Sequence, residues 1–161
     1  MKTWIDGHGF KREVNDVFIS YSRSDDSRIE LLVERLKNEN LSVFSDSDIP
    51  AGVDFGSFIR EMLVNSRLVL VVWSERSIRS DWVYSEAEFA RVRKRLVSCK
   101  IDECTPNPPF NTFQTVDLSE WRGDTSNVNW GKLVDLIRHR VTGDSAASPI
   151  ADIATQSDDL D

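Results

Sequence analysis

Short apolar runs alternate with amphipathic stretches along this chain, and the alternation predicts its elements. Asp16-Val17-Phe18-Ile19-Ser20 is brief, β-branched and aromatic, which predicts a buried first strand. Ser24 is placed to cap the following helix, with Asp25 and Asp26 suiting the positive end of its dipole. In that helix Ile29, Leu32, Val33 and Leu36 recur at i, i+3, i+4 and i+7, one apolar stripe for packing on a sheet. Val43-Phe44-Ser45 predicts a second strand, and Pro50, Gly52 and Gly56 punctuate a loop from Asp46 to Gly56. Phe58, Ile59, Met62 and Leu63 return to helical spacing.

Leu68 to Trp73 is apolar at every position, as expected of a central parallel strand covered on both faces. A helix capped by Ser80 is predicted from about Asp81 to Arg95, then a fourth strand over Leu96 to Ile101. Residues 102–112 carry three prolines and read as an irregular connection, and Val116 and Leu118 mark a short fifth strand. Trp130, Leu133, Val134, Ile137 and Val141 define a last helix that Gly143 is placed to end. Strands alternating with helices predict an α/β fold, a parallel sheet with right-handed crossovers and helices on both faces, with ligands at the carboxyl ends of the strands.

At 161 residues one domain is expected, here residues 15–143. Residues 1–14 are polar with two glycines and read as a loose lead-in or a short cap. Residues 144–161 contain five Asp and no Lys or Arg, and form an acidic tail expected to be disordered. The chain has 20 basic and 27 acidic side chains, so without the tail 20 stand against 22 and the body carries −2. That balance gives no electrostatic case for nucleic acid or an anionic membrane as partner. The start has no apolar stretch to serve as a signal-peptide core, and the run from Leu68 to Trp73 is too short to span a bilayer. Cys99 and Cys104 are too few for a disulfide framework or a four-ligand zinc site and read as reduced thiols, which points to a cytoplasmic protein with no metal.

Nucleotide-fold motifs are missing. Neither Gly-x-x-x-x-Gly-Lys-Ser/Thr nor Gly-x-Gly-x-x-Gly occurs, and Gly7-His8-Gly9 precedes the first strand rather than following it. The third strand ends in Trp73-Ser74, without the phosphoacceptor Asp of a receiver domain. Three other segments converge instead: Asp16 to Arg23, the loop Asp46 to Phe55 with Ile49-Pro50-Ala51-Gly52, and Ser80-Asp81-Trp82-Val83-Tyr84-Ser85-Glu86. Together, in order and spacing, they resemble the TIR domain family from about Asn15 to Thr142.

The resemblance implies a flavodoxin-like five-stranded parallel sheet, in the order 2-1-3-4-5, and one of two functions. One is cleavage of the nicotinamide–ribose bond of NAD+, bound as substrate with no separate cofactor, in bacterial-style defence or cell killing. The other is non-catalytic signalling by TIR–TIR contacts. NAD-cleaving members resemble this chain in having a Glu four residues after a Trp, matched by Trp82 and Glu86, which i, i+4 spacing puts on one helix face. Glu86 is then the catalytic carboxylate, stabilising an oxocarbenium-like ribose or trapping it. Tyr21, Ser22, Arg23, Asp46 and Trp82 are expected around the substrate, Arg23 as a contact for the pyrophosphate, with Ser22 standing where some relatives have a second basic residue. Pro50, Gly52 and Phe55 belong to a loop the family uses in self-association. Plainer readings stand beside these: a solvated helical Glu86, an Arg23 paired with Asp25 or Asp26, a Trp82 that only anchors its helix, a Gly52 that only turns the chain. Arg91, Arg93, Lys94 and Arg95 read as a mixed-charge helix end.

Overall fold

The structure is a computed structural model, and it describes residues 2–45 and 54–146. The lead-in, read from sequence as a loose segment or short cap, is an ordered antiparallel hairpin of β1 (Thr3–Ile5) and β2 (Lys11–Glu13), in the register Thr3 opposite Glu13. Its organiser is Asp6, which is buried and accepts the N–H groups of His8 and Phe10, each at 2.9 Å, and Arg12 Nε at 2.6 Å. Gly9, at φ +86°, closes the turn. Three-residue strands are too short for periodicity to reveal.

Burial pushes the Asp6 carboxyl up, but Arg12 and the two N–H groups outweigh it and hold the group below the usual aspartate range. A depressed folded-state pKa stabilises above the unfolded value, and that contribution is lost as pH falls through the folded one. The hairpin should therefore be protected from hydrogen exchange at pH 7 and lose protection in acid below about pH 4. Asp6→Asn should show weak protection at both; protection of wild-type residues 3–13 that is indifferent to pH would refute this.

The main sheet contains β3 (Asn15–Ser20), β4 (Val43–Phe44), β5 (Ser66–Trp73), β6 (Leu96–Lys100) and β7 (Thr115–Asp117). All its pairings are parallel and its order is β4-β3-β5-β6-β7. With the hairpin set aside this is the order 2-1-3-4-5, a flavodoxin-like sheet. The period of two divides β5 between two cores: Leu68, Leu70 and Val72 face one way, Val69, Val71 and Trp73 the other. Helices α1 (Asp26–Lys37) and α4 (Val128–Ala146) cover the first face. Helices α2 (Phe55–Val64) and α3 (Asp81–Val92) cover the second, where Trp4 of the hairpin also packs.

Three predicted helix ends differ. Ser24 does not cap α1; residues Arg23–Asp25 form a 3-10 turn, and the Asp25 carboxylate is drawn inward to accept Ser74 Oγ at 2.6 Å. Helix α3 stops at Val92 rather than Arg95, because Lys94 takes φ +57° and Arg95 N–H turns back to the Ala90 carbonyl at 2.9 Å. Helix α4 runs through Gly143 to Ala146, because Gly143 does not take the positive φ that ends a helix at glycine. Ser80 caps α3 as its sequence predicts, accepting Val83 N–H at 3.2 Å.

Candidate functional site

Strands β3 and β5 are neighbours, yet the chain leaves β3 for α1 on one face and β5 for α3 on the other. That divergence makes their carboxyl ends the topological switch point of the sheet, where ligands of such folds bind. Beneath it lies a buried polar network. Ser74 Oγ donates to Asp25, Ser77 Oγ donates to the Val72 carbonyl at 2.9 Å, and Ser74 N–H donates to Ser77 Oγ at 2.7 Å. These bonds tie the exit of β5 to the turn after β3.

The most unusual group on the α2/α3 face is Glu86. Its residue is 5% exposed, and Oε1 accepts Ser20 Oγ, from the last residue of β3, at 2.6 Å. Burying a carboxylate is costly, so a buried one bordering open space is a candidate for chemistry. Here the space is a cleft of about 930 Å³ between α2 and α3, bordered by Glu86, Trp82, Ser85, Phe89 and Arg93 of α3 and by Ile59, Arg60 and Leu63 of α2. Trp82, which borders the same cleft, is 44% exposed. Trp82 and Glu86 thus reach one cleft, one helical turn apart.

Three of the other predicted site residues lie directly after β3. Tyr21 is buried in the core beneath α1, and its hydroxyl donates to Asp26 Oδ1 at 2.9 Å. Ser22 is half-buried and its carbonyl accepts Asp25 N–H; Arg23 is exposed and begins the 3-10 turn. None of these three borders the α2/α3 cleft. Asp46, Pro50 and Gly52 lie outside the described residues, and Phe55 is the first residue of α2.

Other groups near the strand ends and the cleft are not marked as site residues by sequence pattern. Ser20 was only part of a motif, and its bond to Glu86 joins residues 66 apart. Phe89 and Arg93 continue the Trp82–Glu86 spacing, a signal legible in the sequence, whereas Arg60 arrives from another helix. At the strand ends Arg28 binds Asp102 at 2.7 Å and holds its carboxyl below the usual range despite partial burial. Burial pushes the Cys99 thiol up, and Cys104 moves the same way for the same main reason, so neither is an activated nucleophile. Among the described residues no group of three or more His, Cys, Asp or Glu is placed to hold a metal, and no helix is long and apolar enough to cross a membrane.

Solved structures of similar fold include the TIR domain of the Toll-related receptor TRR-2 from Hydra magnipapillata. It is 22% identical with a TM-score of 0.67, over 77% of this chain and 98% of that one. A metazoan TIR-STING receptor from C. gigas, solved in complex with 2',3'-cGAMP, is 20% identical with a TM-score of 0.64, over 77% of this chain. The match spans 39% of that receptor's length. No curated protein matches the chain in sequence. The family model described as TIR domain matches residues 17–134, from β3 into α4, and the chain belongs to that family.

Proposed function

We propose that this TIR domain is of the NAD-cleaving, bacterial type: a cytoplasmic NAD+ glycohydrolase in defence or cell-death signalling, with Glu86 as its catalytic carboxylate. The observation that carries the reading is the buried Glu86, held by Ser20 and opening with Trp82 onto a cleft large enough for a nucleotide.

The chemistry asks little of the protein. Nicotinamide in NAD+ is a pyridinium, and when the bond from its nitrogen to the ribose carbon breaks, both electrons stay with nitrogen and neutral nicotinamide departs. The positive charge passes to the ribose as an oxocarbenium ion, which the Glu86 carboxylate stabilises or traps. Water then adds to the ribose carbon and loses a proton, giving ADP-ribose; attack by the adenine ring of the same molecule gives a cyclic isomer instead. Trp82 packs against the ribose or base. Self-association through the loop with Pro50, Gly52 and Phe55 belongs to the same proposal.

Purified protein incubated with NAD+ should release nicotinamide together with ADP-ribose or its cyclic isomer, separable by chromatography. No nicotinamide over a wide range of protein concentration would overturn the reading in favour of an adaptor acting by TIR–TIR contacts, for which a buried carboxylate serves no purpose.

A further inference from the structure

Helix α3 and its C-cap present a single stripe to the cleft, in which Trp82, Glu86, Phe89 and the capping residue Arg93 follow at intervals of four, three and four. Arg93 folds back along the helix. Its guanidinium carbon lies 3.6 Å from the centroid of the Phe89 ring, and Nη1 donates to the Phe89 carbonyl at 3.3 Å. The cation therefore sits at the level of Phe89, roughly 4.5 Å along the axis from Glu86 at 1.5 Å per residue. Arg60 borders the same cleft from α2.

Neither arginine forms an ion pair among the described residues, whereas Arg12, Arg28 and Arg91 are neutralised by Asp6, Asp102 and Glu88. Two other carboxylates border the cleft. Asp54 caps α2 through Ser57, and Glu61 is turned to the hairpin, where a Cβ on Gly7 would lie 2.7 Å from its Oε1. We propose that Arg93 and Arg60 form the anion-binding end of the cleft and hold the phosphate groups of a nucleotide whose ribose meets Glu86. This rests on Glu86 as the reacting carboxylate. The pairing suits a dinucleotide with a cationic ring at one end and a pyrophosphate beyond it. Guanidinium groups meet phosphate oxygens in bidentate fashion, and stacking on Phe89 pre-organises Arg93 for that contact.

The test is calorimetric titration of the full chain with ADP-ribose and with adenosine. Wild type should bind ADP-ribose, less tightly as salt rises. Arg60→Gln/Arg93→Gln should weaken ADP-ribose binding by about 10-fold or more. Adenosine, which has no phosphate, should not discriminate between the two proteins, and Arg93→Lys should recover only part of the loss. Equal binding by wild type and the double variant, no binding by wild type, or a loss seen only with Arg23→Gln would each overturn the proposal. NAD+ turnover is measured separately: a wild type that binds ADP-ribose through these arginines but releases no nicotinamide would sink the hydrolase reading and leave the anion site standing.

Discussion

Replacing Glu86 with Gln is expected to lower NAD+ cleavage on the order of 100-fold or more while the domain remains folded. Gln has nearly the same volume, and its carbonyl oxygen can still accept the Ser20 hydroxyl that meets Oε1 at 2.6 Å. What it lacks is the negative charge that, in the proposed mechanism, stabilises the ribose cation. Removing a charge from a site only 5% exposed also relieves a desolvation penalty, so the melting temperature should hold or rise. Nicotinamide release and thermal melting, measured on the same preparation, separate chemistry from folding. Wild-type turnover in a folded Glu86→Gln protein would remove Glu86 from the mechanism, and a large fall in melting temperature would mark it as a structural residue.

The second large effect is expected at Trp73. This fully buried ring ends β5 and packs against Tyr84 of α3 at 5.2 Å and Phe110 at 5.7 Å between centroids. Trp73→Ala should cost about 3–5 kcal/mol, from lost contacts and the cavity left behind. In a domain of this size that is a fall in melting temperature of about 10 °C. Trp73→Phe should cost much less than the Ala change. The indole Nε1 is buried with no hydrogen-bond partner among the described residues, so Phe sheds an unsatisfied donor while keeping most of the ring. Denaturant unfolding checks both, and equal losses for Phe and Ala would show that ring packing is not what Trp73 supplies. Because Ser74 follows directly and bonds Asp25, the Ala variant should also loosen the link between the exit of β5 and the turn after β3.

Legibility in this chain follows the range of each interaction. The unbroken apolar run Leu68 to Trp73 announces the central strand, and Ser80 announces the start of α3, because burial on two faces and an N-cap are both local demands. The i, i+4 spacing of Trp82 and Glu86 predicts a shared face, and both border one cleft. The strand order follows from the resemblance to TIR domains rather than from the pattern, since alternation alone does not order a parallel sheet. Asp25 was misplaced for a related reason: a helix-start pattern describes the dipole nearby, not a serine 49 residues away that competes for the carboxylate.

By itself, then, the sequence determined the alternation of strands and helices, the apolar stripes that choose each helix's covered face, and the Trp82–Glu86 pair. These depend on residues within a turn or two of one another, where the periods of helix and strand govern. The tertiary structure alone decided that Asp6 folds the lead-in into a hairpin against α2, that Ser20 meets Glu86, and that Arg60 and Arg93 border one cleft. Each of those arrangements joins polar groups from separate elements, or sets a local turn against a distant surface. Their partners are selected only when hydrophobic burial has brought the elements together and buried polar groups must find hydrogen bonds.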